Sequence, residues 1–180
     1  MAHAKNIFLF VGFLYFVYVL DLVIPLSRYG IVPRTQRGLI GIVSCPFLHA
    51  NLRHLVSNTV PLTILLFVLY SFYPNKAMSV VVISIVLGGI LVWLFGRNAN
   101  HIGASGLIYG LAAFLIVNGF TEQKFVPILI SIAVAVVYGS LFWGIFPSYR
   151  TYVSWEGHLF GALAGFAAVF LLKGLKNTIV

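Results

Sequence analysis

Three polar patches interrupt otherwise apolar sequence: His54 with Asn58, Ser105 within Gly103-Ala104-Ser105-Gly106, and His158. A serine hydroxyl alone is a poor nucleophile and becomes a useful one beside a base such as imidazole. Ser105 opens the apolar run Leu107 to Val117. It is expected at or near a helix N-terminus, where free backbone N–H groups point outward and one could stabilise an oxyanion. His54 and Asn58 share a helix face at their spacing of four, so an imidazole and an amide donor converge on one point. That suits a negative oxygen developing in a transition state. The plainer readings are interhelical hydrogen bonding for His54 and Asn58, and close helix packing for Gly-Ala-Ser-Gly.

A conventional triad adds a carboxylate that orients the histidine. The chain has three acids: Asp21, Glu122 and Glu156. Asp21 ends the first apolar run, and Glu122 falls on the side away from Ser105. Glu156, two residues from His158, would point away from it on a helix. A Ser–His dyad is therefore the economical arrangement, with Tyr109, one turn below Ser105, placed to hold the imidazole plane. Spacing alone leaves His54, His101 and His158 all open as the base. His101 is assigned to a loop or headgroup-region role. His-Glu-x-x-His, clustered acids, phosphate-binding glycine loops and dinucleotide fingerprints are absent. No metal and no cofactor is expected.

Composition sets where this chemistry would occur. The 180 residues are 61% hydrophobic and 8% charged, against about 25% charged in soluble domains. This describes a polytopic membrane protein of one domain. The net charge of +8 is spread between apolar runs, which implies anionic lipid headgroups rather than nucleic acid. The single Cys45 allows no internal disulfide. Spanning helices need about 20 apolar residues. Six are read, at roughly 7–24, 54–73, 77–95, 103–118, 125–143 and 157–172, in an all-α bundle without a separate soluble domain. The first is read as a retained helix, since Tyr15-Phe16-Val17-Tyr18 is bulky for a cleavage site. Helix two should bend near Pro61, and Pro74-Asn75 should form a tight turn.

The long connection Pro25 to Asn51 carries an apolar stretch, Leu39 to Val43, too short to span and expected to be interfacial or re-entrant. Lysines fall on the terminal side and arginines on the other, so charge does not decide orientation. Cytoplasmic termini are favoured because the arginines cluster near the long connection. With no transit peptide visible, a plasma or bacterial inner membrane is the expected location.

Gly161 and Gly165 follow His158 on broadly one side of helix six, and helix four offers Gly106 and Gly110 at the same interval. Two such faces let backbones approach closely, which could bring Ser105 within reach of His158.

The chain resembles the rhomboid family of intramembrane serine proteases. The likeness is carried by Phe47-Leu48-His49-Ala50-Asn51-Leu52-Arg53-His54-Leu55-Val56-Ser57-Asn58, by Gly103-Ala104-Ser105-Gly106 with Tyr109, and by Gly157-His158-Leu159-Phe160-Gly161 with Gly165. The resemblance implies Ser105 as nucleophile, His158 as general base and Tyr109 stacked on it. It implies an oxyanion hole of His54, Asn58 and the Ser105 N–H, with His49 structural or water-organising nearby. Many members carry a Trp-Arg pair in the first connection. This chain has no tryptophan there, and Arg34 and Arg37 are the available arginines. Substrates would be transmembrane segments of other proteins, cut near the outer face. A polar cavity open to that face and gated by 144–156 is expected. The competing readings are a non-catalytic helix-binding protein of the same fold and a small solute transporter.

Overall fold

A computed structural model describes residues 2–147 and 153–173. The described residues form an all-α bundle of seven helices: α1 (Ala2–Asp21), α2 (Gln36–Ser44), α3 (Leu52–Phe72), α4 (Pro74–Phe95), α5 (Ser105–Glu122), α6 (Phe125–Tyr138) and α7 (Trp155–Leu171). α1, α3, α4, α5 and, with its 3₁₀ extension to Ile145, α6 are long and apolar enough to cross a membrane. α7 is apolar but shorter, 17 residues, or about 25 Å at 1.5 Å per residue.

α5 is the axis of the bundle. Leu107, Leu111, Phe114 and Leu115 on it are almost completely buried, and α3, α4, α6 and α7 all pack around it. α1, α4 and α6 instead turn Phe8, Phe16, Val82, Leu94, Val136 and others outward, as hydrocarbon-facing helices must.

Several boundaries differ from those read in the sequence, each for a local reason. α1 ends at Asp21, whose carboxylate accepts the Ser27 N–H at 2.7 Å and so organises the turn after it. α3 starts at Leu52 because Asn51 caps it, accepting from the His54 N–H at 2.9 Å, and it runs unbroken through Pro61. Pro74 is not in a turn but is the first residue of α4. A proline there needs no N–H and has a helical φ already, so the reversal falls on Tyr73. α5 continues past Asn118 to Glu122. Asn118 and Glu122 turn inward, where Lys76 Nζ lies 3.1 Å from Glu122 and Asn118 Nδ2 donates to the same carboxylate oxygen at 3.0 Å. The α-helical part of α6 stops at Tyr138, and Gly139–Ile145 winds as a 3₁₀ helix. Gly139, Ser140 and Gly144 all favour the helix weakly.

The apolar stretch of the first connection is α2, nine residues long, about 13 Å and unable to span. Thr35 caps it, accepting from Gly38 N at 3.0 Å. Gly38 and Gly41 lie against the backbone of Val32 and Gly30, while Leu39, Ile40 and Val43 face outward. α2 rests on α4, with Ile42 against Gly89. Arg34, at φ 58°, reaches the end of α4 and donates to the carbonyls of Leu94 (3.0 Å) and Gly96 (2.9 Å). Trp93 of α4 returns an indole N–H to Thr35 O at 2.8 Å. The first connection is thus tied down by Arg34 and by a tryptophan on a different element.

Candidate active site

The loop between α4 and α5 delivers Ser105. Residues of the first connection form its bed. Ile31 and His101 exchange two backbone hydrogen bonds of 2.9 Å, and Gly103 N donates to Cys45 O at 2.9 Å. Gly103 has φ +120°, and a Cβ there would fall 2.6 Å from His54 Cε1 and 2.7 Å from Nε2. Only glycine meets both demands. This lets the backbone two residues before Ser105 lie flat against the His54 ring. Ser105 is the first residue of α5, so its N–H is among those left free by the helix pattern.

Helix α7 delivers His158. Its contact with α5 is a backbone-to-backbone approach. A Cβ on Gly161 would sit 2.1 Å from Gly106 O, and one on Gly165 would sit 2.0 Å from Gly110 O. At that separation Ser105 Oγ and His158 Nε2 are 3.0 Å apart. The Tyr109 ring stacks on the imidazole, with centroids 4.2 Å apart and planes 6° from parallel. His158 Nδ1 lies 2.9 Å from Gly144 O in the 3₁₀ segment. A carbonyl only accepts, so Nδ1 carries the proton and Nε2 presents its lone pair to the serine hydroxyl. A backbone carbonyl thus occupies the place a triad gives to an acid. Sequence carries no signal for it, since every residue has a carbonyl.

His54 and Asn58 lie together beside Gly103. The Asn58 Nδ2 group is buried without a hydrogen-bond partner, 3.7 Å from the position of a Gly103 Cβ. A buried unpaired donor is costly in a folded protein, and this one lies beside the serine loop. His49 is buried behind it. Its Nε2 is 3.5 Å from Ala104 N, and its ring meets the His54 ring edge-on at 5.1 Å. Burial first, and then the nearby His54, push the His49 imidazole down to about 4, so it is neutral near pH 7.

His101 lies in the loop between α4 and α5, as expected, but is buried there. It is 4% exposed, with Nδ1 2.7 Å from Ser154 Oγ and Nε2 3.0 Å from Arg97 O. Burial lowers its affinity for a proton. Glu156 is also buried and holds no bond to His158; Arg97 N and Nε approach its Oε1 at 3.3 and 3.5 Å. The sequence reading missed these roles because Ser154 lies 53 residues from His101 in the chain, and Glu156 lies 59 residues from Arg97.

A cavity of about 110 Å³ on the arginine side is lined by residues including His54, Arg97, Asn100, His101 and Ser154. A smaller space of about 30 Å³ behind Ser105 touches Cys45, Ser84 and Gly88, room for about one water. Residues 148–152, the middle of the expected gate, lie outside the described residues.

Fold and geometry together define a polytopic membrane protein holding a hydroxyl–imidazole pair inside its helices. Residues 36–174 match the Rhomboid domain family. An uncharacterized protein of Mycobacterium tuberculosis (strain ATCC 25618 / H37Rv) is 40% identical over 178 residues, covering 93% of this chain and 74% of that one. An uncharacterized protein of Mycobacterium leprae (strain TN) is 36% identical over 174 residues, covering 89% and 69%. The chain belongs to the rhomboid family.

Proposed function

We propose that this protein is an intramembrane serine endopeptidase that cleaves transmembrane segments of other membrane proteins. The observation that carries the reading is the 3.0 Å contact between Ser105 Oγ and His158 Nε2, with the imidazole tautomer set by Gly144 O and its plane by Tyr109. His158 takes the serine proton as Oγ attacks the scissile carbonyl. The developing oxyanion is met by the Ser105 N–H at the positive end of α5 and by His54 and the unpaired Asn58 amide. His158 then returns the proton to the leaving amine, and the acyl-serine is hydrolysed by a water that His158 deprotonates in turn. The cavity beside His54 is the route we assign to that water, which must pass from its lining of His54, Asn100 and Ser154 to the dyad. Because helical backbone is shielded by its own hydrogen bonds, the substrate must unwind locally, which glycine or proline eases. Termini in the cytoplasm of a bacterial inner membrane, with the cut near the outer face, complete the proposal.

The test is fluorophosphonate labelling and cleavage of a single-span model substrate in proteoliposomes. Wild type should label and cleave, while Ser105→Ala and His158→Ala should do neither. Asn58→Ala should lower turnover by roughly 10²-fold, the scale for one lost oxyanion donor, with the fold kept. Equal cleavage by wild type and Ser105→Ala would remove the reading.

A further inference from the structure

Ser105 and His158 are 53 residues apart in the chain. The glycine contacts between α5 and α7 begin at Gly106 against Gly157 and run down towards Gly165. Above them, the serine loop and the first turn of α7 are joined by a second, wholly polar set of contacts. Arg97 Nη2 donates to Val153 O at 2.7 Å. Arg97 N donates to Glu156 Oε1 at 3.3 Å, with the guanidinium Nε 3.5 Å from the same atom. The protons on His101 and Ser154 can be assigned. His101 Nε2 faces the Arg97 carbonyl and must donate, which leaves Nδ1 as acceptor. Ser154 Oγ–H therefore donates to Nδ1 at 2.7 Å, and Ser154 Oγ accepts the Gly157 N–H at 3.1 Å. The result is a one-directional chain from the first turn of α7, through Ser154 and His101, to the loop that carries Ser105.

Glu156 is 1% exposed, although apolar packing could join the same elements without the desolvation cost of a carboxylate. What a buried hydrogen-bonded network adds is one specific geometry, held here through Glu156 Oε1 alone, since Oε2 has no hydrogen-bond partner. We infer that Arg97, His101, Ser154 and Glu156 form a latch that sets the position of His158 over Ser105. Glu156 is then a positioning residue, acting through Arg97 rather than on the imidazole. This inference rests on the protease reading, since the latch matters for chemistry only if the two groups react.

The test uses the full chain in proteoliposomes. Glu156→Ala should lower kcat and the fluorophosphonate labelling rate about tenfold or more, with KM within about twofold, because the geometry of the pair changes and the substrate surface does not. Glu156→Gln, which keeps an acceptor for Arg97 N, should recover to within about threefold of wild type, a graded rescue expected of hydrogen-bonded positioning. Amide hydrogen exchange over 155–160 should speed up in Glu156→Ala and return in Glu156→Gln. Should Glu156→Ala fail to fold, Ser154→Ala cuts the same chain at one hydroxyl and should show the same kcat loss and faster exchange. A folded Glu156→Ala or Ser154→Ala with wild-type kcat, or with unchanged exchange over 155–160, overturns the latch. If wild type and Ser105→Ala cleave alike, the protease reading fails instead, and the exchange result still decides whether the latch exists.

Discussion

At the scale of single residues, burial governs which protonation state each imidazole keeps. His49, 1% exposed, has Ala104 and His54 beside its ring. Its folded-state value of about 4 lies below the ordinary 6.5, so the unfolded chain binds the proton more readily. Its stabilising contribution is therefore complete above pH 6.5 and is lost as pH falls from 6.5 towards 4. The difference corresponds to roughly 3 kcal/mol. Thermal unfolding in detergent should show a falling midpoint across that window, and His49→Gln should flatten part of the slope. An unchanged slope in His49→Gln would assign the acid sensitivity elsewhere. Much of this scale was legible in the sequence: a histidine, an asparagine and a serine in hydrocarbon-length runs had to be explained. What could not be read was that His101 is buried, because Ser154 Oγ, 53 residues away, becomes its neighbour only when two loops meet.

Among elements, the decisive contact is α5 against α7. At its closest points no side chain intervenes: Gly161 faces Gly106 O, and Gly165 faces Gly110 O. The interval of four between the glycines announced this face, and the short distance follows from the absence of Cβ atoms. A Cβ at Gly161 would lie 2.1 Å from a backbone oxygen that cannot swing aside. Gly161→Val should therefore separate the helices, with a stability loss of about 1–3 kcal/mol and loss of cleavage. Chemical denaturation of the purified variant beside a cleavage assay reads both. A variant that cleaves normally would show that the approach of these backbones is not what joins the proposed dyad. The 3₁₀ segment Gly139–Ile145 is the element the sequence described least well. Its apolar composition reads as a continuation of α6, yet the tighter winding brings Gly144 O to His158.

For the whole molecule, the outer surface and the polar interior answer to different solvents. Lipid-facing Phe, Leu and Val cover the helices, while the proposed dyad, the Lys76–Glu122 pair and the serine-loop network all lie inside or at the ends of the bundle. α7, at about 25 Å, is shorter than a hydrocarbon core of about 30 Å. Mismatch of this kind is met by thinning the bilayer locally. Cryo-electron images of proteoliposomes should show a thinner bilayer beside the protein than far from it, and normal thickness at that edge would count against the prediction.

Composition and order alone determined the class of molecule, the number of apolar runs and the short roster of polar groups among them. Hydrocarbon permits few spanning structures, and it makes every polar atom within it conspicuous. Spacing left three histidines open and the family resemblance pointed to His158, which the structure brings 3.0 Å from Ser105. Only the tertiary structure decided which carbonyl sets its tautomer, and that Glu156 turns to Arg97. Those contacts link residues 14, 53 and 59 positions apart, and each distance is set by how closely two backbones and two loops can approach. No local pattern encodes that.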